Sequence, residues 1–364
     1  MTTASTLPGA ENLDRLEAVP AVAAVAPDAP LEAQTISRRA VGPRDVRIAI
    51  EYSGICHSDI HTARSEWSEA KYPLVVGHEI IGRVDAVGSD VTNFSIGDRV
   101  GVGCMSNSCH DCPACADGQE QECHNGTIMT YGGVDVDGSI TQGGYSAATV
   151  IDERMVLRIP EALPADAAAP LLCAGITMYS PLRQWNAGPG TKVAIIGMGG
   201  LGHVGVKLAA AMGCEVTVLS QTTSKRSDSL RFGATEHYAT GGDEGKENLK
   251  ALRGSFDLII NTVSANLPMD AYVGLLRTRG VFVEIGLPIE KLSLSAFTLT
   301  HARRVLTGSL IGGIPETQEM LDFCAEHGVT AEIELISASE INAAYERVVG
   351  SDVRYRFVID ASTF

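Results

Sequence analysis

Long apolar runs are missing from this chain: no stretch of about 18 apolar residues occurs that could cross a bilayer as a helix. Positive charge is scarce, with 28 Lys and Arg against 44 Asp and Glu and a formal net charge of −16. Phosphate backbones and anionic lipid surfaces attract proteins through basic patches, so this balance speaks against a nucleic-acid or membrane-surface partner. The opening residues, MTTASTLPGAENLDRLEAVP, lack a basic segment followed by an apolar one, so no secretory leader is read there and a cytoplasmic protein is expected. There is no internal repeat, and the only biased tract is the Ala/Pro-rich stretch from Pro20 to Pro30. Residues 1 to about 15 read as a loose extension.

What is present is enough for two domains: 364 residues with 45% hydrophobic content can fill two ordinary cores. From about Val46 to Val156 the chain alternates short β-type runs, VRIAIEY, IIGRVDAVG and DRVGVG, with Gly, Asp-Gly and Pro breaks. From Thr191 the texture changes. KVAIIGMGG reads as a buried strand running into glycines, LGHVGVKLAAAMG as a helix and CEVTVLS as a second buried strand. FDLIINTVS and GVFVEIGL continue the rhythm, as a doubly wound parallel sheet requires. LDFCAEHG and INAAYERVVG read as helices and YRFVID as a closing strand that can return to the first lobe. The expected class is α/β, a mainly β domain joined to a parallel-sheet domain.

Gly197-Met198-Gly199-Gly200-Leu201-Gly202 lies between a predicted strand and a predicted helix, the setting in which Gly-x-Gly-x-x-Gly binds a dinucleotide. The glycines permit a tight turn, and the helix N-terminus offers free N–H groups to the pyrophosphate. A fold that prefers NAD places Asp or Glu at the end of the second strand, about 20 residues on. Here that strand ends at Ser220, followed by Gln221, Thr222, Thr223, Ser224, Lys225 and Arg226. Hydroxyl donors and two cations suit a 2′-phosphate that a carboxylate would repel, so NADP(H) is expected. The alternative for this stretch is a solvated basic helix start.

Nine cysteines in a large chain of this kind point to thiolate chemistry rather than disulfides. Cys109, Cys112, Cys115 and Cys123 form Cys-x2-Cys-x2-Cys-x7-Cys, close enough to complete a tetrahedron without help from distant segments. Four protein sulfurs leave no place for water or substrate, so a zinc there is structural; an iron–sulfur cluster or unligated thiols are the alternatives. A second set has to be gathered over distance: Cys56 in GICHSDIH, His78 in GHEIIG and Cys173 in LLCAGIT. Two thiolates and one imidazole leave an open fourth position, the composition of a catalytic zinc, although each residue alone would suit an ordinary core. Glu79, beside His78, is placed to bind the metal transiently or tune its field, and Asp59 to orient the His78 ring.

At GICHSDIH, YPLVVGHEIIG, the four-cysteine segment, LLCAGITMYSPL, IIGMGGLGHVGVK and SDVRYRFVID the chain resembles the cinnamyl-alcohol-dehydrogenase-like family of zinc-dependent medium-chain alcohol dehydrogenases. The likeness runs from about Ala21 to the C-terminus. It implies a GroES-like catalytic domain over residues 1–172 and 311–364, a Rossmann cofactor domain over 173–310 and a cleft between them. It matches Cys56, His78 and Cys173 to catalytic zinc ligands, Glu79 to the adjacent acid and Cys109 to Cys123 to a structural site. Ser58 matches the hydroxyl that bonds the substrate oxygen and His61 a distal histidine that passes the proton on. Thr177, Thr262, Gly286 and Ser309, Leu310 and Ile311 match cofactor contacts, and His57 a basic residue near the pyrophosphate. The implied protein is a homodimer holding two zinc ions per subunit, interconverting primary alcohols and aldehydes with NADP(H) while zinc polarises the oxygen. Plant members that make lignin alcohols carry a tryptophan shortly after the fourth structural cysteine; this chain reads Cys123-His124-Asn125-Gly126-Thr127-Ile128-Met129, so strict cinnamyl specificity is not implied. Phe297 is an aromatic candidate to line the cleft, and Trp67 suits core as well as pocket.

Two other readings are weighed. An NADP(H) reductase of C=C or C=N bonds would not need Cys56, His78 and Cys173 together. A zinc-ribbon-like binding module would account for the four cysteines and leave the dinucleotide fingerprint without purpose.

Overall fold

A computed structural model of the chain describes residues 17–364. The expected extension over residues 1 to about 15 lies outside the described residues. The described residues form two compact units, one made of residues 17–173, 313–322 and 332–364 and the other of 174–312 and 323–331.

The first unit is built on a seven-stranded, mainly antiparallel sheet. Its long strand Asp45–Gly54 pairs on one side with Ile80–Val87 and on the other with Ala148–Asp152 and Arg356–Asp360. Arg99–Val102 and Leu157–Arg158 extend the sheet beyond Ile80–Val87, and Ile333–Ile336 runs parallel to Arg356–Asp360 at the other end. The period-two pattern of VRIAIEY is realised: Val46, Ile48 and Ile50 are buried while the residues between them are half exposed. Each such aliphatic side chain taken out of water contributes about 1.5–3 kcal/mol. The Ala/Pro-rich stretch holds a strand that its composition hid: Glu17–Ala23 pairs antiparallel with Glu32–Arg38. Pro20 fits because its carbonyl accepts from Ala147 N, so the hairpin is tied to the sheet by acceptor groups that proline keeps.

The second unit is a six-stranded parallel sheet in the order Glu236–Ala239, Glu215–Ser220, Lys192–Ile196, Phe256–Asn261, Leu276–Glu284 and Val305–Gly308. Numbered along the chain, that is the doubly wound order 3-2-1-4-5-6. Its central strands are buried almost end to end, as both faces of a parallel sheet are covered by helices. Ala194, Ile196, Leu219, Ile259 and Phe282 share one apolar cluster with Tyr272 and Val273. The order reverses between Lys192–Ile196 and Phe256–Asn261, the switch point where open α/β sheets bind their ligands.

Candidate active site and metal centres

Cys56 closes the turn after strand Asp45–Gly54 and is the N-cap of helix His57–Ala63. Three residues later Asp59, fully buried, accepts from the Cys56 backbone N–H through Oδ2 at 2.8 Å. Its other oxygen, Oδ1, accepts from the Gly77 N–H at 3.2 Å and bonds the His78 ring through Nδ1 at 2.9 Å. With Nδ1 engaged, His78 has Nε2 left to ligate a metal. Cys173 follows the short turn Ala169–Leu172, and its Sγ lies 3.8 Å from that of Cys56. One ligand atom each from Cys56, His78, Glu79 and Cys173 comes within 4.8 Å of all the others, and all four residues are buried.

Electrostatics inside this pocket are those of a site built around a cation. Burial pushes the Glu79 carboxyl up to about 8, against the downward pull of the Arg356 guanidinium. Arg356 touches Glu79 Oε1 through Nη2, while Glu79 Oε2 is buried with no hydrogen-bond partner among the described residues. A divalent ion would supply the missing partner. Room for that carboxylate comes from Gly54, where a Cβ would lie 1.9 Å from Oε2. A hydrogen bond from Cys173, opposed by burial and aided by His78, draws the Cys56 thiol well down; Cys173 itself is held well up by its bonds to Cys104 and Cys56 and by burial. Burial pulls the His78 ring down, but Asp59, Cys104 and Tyr131 together raise it well above its ordinary range. Protons shared among thiols and an imidazole in this way are what a zinc ion displaces on binding, so the donor set fits zinc.

The second cluster lies in one loop. Cys109, Cys112, Cys115 and Cys123 also place their sulfurs within 4.8 Å of one another. Cys112 Sγ stands 3.5 Å from Cys115 Sγ, which is 3.8 Å from Cys109 Sγ. Backbone N–H groups of Cys112 and His124 donate to Cys109 Sγ and Cys112 Sγ, both at 3.4 Å. Such donors favour thiolates: backbone N–H bonds from Asp111 and Cys112, with side-chain help from Asn125, bring Cys109 down to about 6. The chain between the second and fourth sulfurs turns through Pro113–Ala116, which carries Cys115, and Glu120–Glu122, and needs no distant segment to close the tetrahedron.

In the second unit, Gly197 turns sharply out of strand Lys192–Ile196 with φ +95°, and helix Gly202–Ala211 follows. A Cβ on Gly202 would meet the Gly197 carbonyl oxygen at 2.1 Å, whereas one on Gly199 would have nothing within 4 Å. The first pair is locked in packing and Gly199 faces open space, as a loop that admits a pyrophosphate requires. Ser220, half buried, ends the neighbouring strand with no carboxylate in its place, and Lys225 Nζ donates to the Met198 carbonyl at 3.0 Å, which sets the ammonium beside the fingerprint loop. Thr222 and Ser224 share a 2.9 Å hydroxyl bond and are exposed, while Arg226 is turned away to the His237 carbonyl.

Residues 42–161 match the alcohol dehydrogenase GroES-like domain family and residues 200–326 the zinc-binding dehydrogenase family. Along 349 residues the chain is 60% identical to "NADP-dependent alcohol dehydrogenase C 1" of Mycolicibacterium smegmatis, covering 96% of this chain and 99% of that one. The chain belongs to the zinc-dependent medium-chain alcohol dehydrogenases, in their cinnamyl-alcohol-dehydrogenase-like group. Two solved structures of that group are similar throughout. A cinnamyl alcohol dehydrogenase from Sorghum bicolor shares 41% identity with a TM-score of 0.92, over 95% of this chain and 98% of its own. The enzyme from Helicobacter pylori, solved with NADP(H), shares 42% with a TM-score of 0.90, over 96% and 99%.

Within this dehydrogenase the residues singled out by sequence fall as follows. Ser58 Oγ lies 3.6 Å from Cys56 Sγ, so its hydroxyl borders the metal pocket. His61 stacks between His57 at 4.9 Å and Trp67 at 4.7 Å between ring centroids and contacts the Glu66 carboxylate through Nδ1. Trp67 is thus a partly exposed surface ring rather than core. Phe297 is also exposed and stacks on His301. Thr262 bonds the Ile196 carbonyl at 2.8 Å at the switch point, Gly286 leaves room for the Val263 carbonyl, and Ser309 N donates to Glu284 O. Thr177 is buried in helix Ala174–Gln184, Leu310 is exposed and Ile311 is buried. Sequence reasoning missed Arg356, the buried partner of Glu79, and Cys104, a buried thiol that its bond to Cys173 draws down to about 6. It also missed Glu66, whose spacing from His61 is that of a helix followed by one turn.

Proposed function

We propose that Cys56, His78 and Cys173 hold the catalytic zinc, that Cys109, Cys112, Cys115 and Cys123 hold the structural one, and that the enzyme interconverts primary alcohols and aldehydes with NADP(H). The observation that carries this reading is the buried quartet, which pairs three soft or borderline donors with one carboxylate oxygen lacking a partner. When bound, zinc supplies a Lewis acid at the reacting oxygen and the nicotinamide supplies or accepts the hydride. The chain's own part is to orient, to hold charge and to move a proton. Asp59 fixes the His78 ring and the Cys56 backbone, so the two ligands are presented together. Ser58 carries the proton of the substrate hydroxyl, and His61, half exposed and touching Glu66, exchanges it with solvent.

The NADP(H) preference rests on Ser220 standing where an NAD enzyme has a carboxylate and on Lys225 beside the fingerprint; the Mycolicibacterium smegmatis relative is named NADP-dependent. Gly197, Gly199, Gly200, Leu201 and Gly202 receive the pyrophosphate, Ser220, Thr222, Ser224 and Lys225 the 2′-phosphate, and His57, Thr177, Thr262, Gly286 and Ser309 to Ile311 the rest of the cofactor. Substrates are small aromatic or aliphatic alcohols and aldehydes, and no nucleic acid is expected to bind a chain of net charge −16. A homodimer fits the edge position of strand Val305–Gly308, which has Val305 partly exposed and Leu310 exposed just beyond it. Reduced thiolate ligands suit the cytoplasm, and no helix of the described residues is long and apolar enough to cross a membrane.

The test is metal content together with turnover. The wild type should carry two zinc ions per subunit. Cys56→Ser should carry one and lose about 1,000-fold or more in kcat/KM, as removal of several kcal/mol of electrophilic assistance requires. Wild-type rates in that variant would sink the assignment, and a panel of aldehydes run with NADPH and NADH would define substrate range.

A further inference from the structure

Behind the residues proposed to ligate zinc lies a buried polar assembly centred on Asp59. The Asp59 carboxylate, 0% exposed, serves both Cys56 N and the His78 ring, and it receives a further bond: Tyr145 Oη donates to Asp59 Oδ2 at 3.1 Å. Tyr145 is also 0% exposed, and burial followed by the Asp59 charge holds its phenol well above the ordinary range, so it stays a donor. The loop carrying it is braced. Tyr145 N donates to Val76 O, Gly144 N to Gly77 O and Gly143 N to Val75 O, which ladders the loop onto the segment leading into His78. Gly77, at φ +103°, leaves the tyrosine its space: a Cβ there would meet the ring at 2.5 Å. From the other side the buried Arg38 guanidinium donates to Ala148 O, Gln142 O, Gly143 O and Ser146 Oγ.

We propose that Tyr145 is a positioning residue of the catalytic zinc, its hydroxyl locking Asp59 so that Cys56 and His78 are held at one separation. The proposal rests on the assignment of Cys56, His78 and Cys173 as ligands. Partners of this kind behind a ligand change metal affinity by roughly 10- to 100-fold when removed.

Tyr145→Phe holoenzyme is challenged with a chromophoric chelator, and zinc release is followed in time alongside thermal unfolding. Tyr345→Phe is the control, because Tyr345 packs in the same apolar cluster and its hydroxyl is 3.5 Å from that of Tyr145. Wild type should release two pools of zinc. In Tyr145→Phe the pool lost on Cys56→Ser should leave about 10-fold faster or more, while the other pool is unchanged and Tyr345→Phe behaves as wild type. Cobalt exchanged into the catalytic site should show weakened or shifted visible bands in Tyr145→Phe. Unchanged release would overturn the proposal, and so would equal acceleration by Tyr345→Phe, which would make the effect one of packing. Should Tyr145→Phe fail to fold, para-fluorophenylalanine at position 145 fills the same space without donating and must give the same acceleration. A wild type with one zinc pool would instead defeat the ligand assignment.

Discussion

The two candidate metal sites are made from similar atoms and assembled in opposite ways. Four sulfurs between Cys109 and Cys123 need only their own loop, with backbone N–H groups donating to the thiolates. The set proposed for the catalytic zinc spans Cys56 to Cys173, and the guanidinium beside it arrives from Arg356 in the last strand of the sheet. A clustered site can therefore stabilise its loop directly, whereas a dispersed one presupposes the folded sheet and uses the metal for chemistry.

Four substitutions would break or sharpen that contrast. The largest effect on activity should come from Cys173→Ser, with turnover falling by about 1,000-fold or more and one zinc lost per subunit, while far-ultraviolet circular dichroism and Tm stay near wild type. Cys112→Ser should do the reverse. Losing a structural ligand should lower Tm by many degrees and leave the protein prone to aggregate, because metal binding there is folding free energy; a Tm equal to that of Cys173→Ser would erase the distinction. Arg356→Met leaves buried Glu79 without its counter-charge and, at a pH above its value of about 8 where the carboxyl is ionised, should cost about 3–5 kcal/mol in denaturant unfolding of the metal-free protein, less when zinc is present to replace the lost cation. The smallest effect concerns the other contiguous motif: Lys225→Ala should lower the NADPH-over-NADH preference by about 10-fold, roughly 1.4 kcal/mol, and an unchanged ratio would remove Lys225 from phosphate recognition.

How far each part could be read from sequence follows the same division. The four cysteines and the Gly197 to Gly202 turn are legible because their geometry is local: spacing alone sets which atoms can meet. The strands VRIAIEY, KVAII and FDLIIN are legible because burial on one or both faces writes itself into hydrophobic period. The hairpin through Pro20 was hidden, since alanine and proline carry little strand signal and the hairpin is held by a distant segment: Val22 N donates to Tyr145 O and its own Arg38 donates to the Gln142, Gly143 and Ala148 carbonyls. The ligands proposed for the catalytic zinc needed the family resemblance, because nothing local links Cys56 to Cys173. Arg356 and Tyr145 were invisible for a stronger reason: each acts on another side chain and leaves no motif of its own around the metal.

The compactness of the four-cysteine loop also orders events during synthesis. By the time residue 123 has left the ribosome, every sulfur of that site is available and zinc can be captured by the nascent chain. The proposed catalytic site must wait for Cys173, and for Arg356 in the last strand of the sheet. A cell short of zinc would then fill the clustered site and leave the dispersed one empty, so scarcity would register as folded protein of low specific activity.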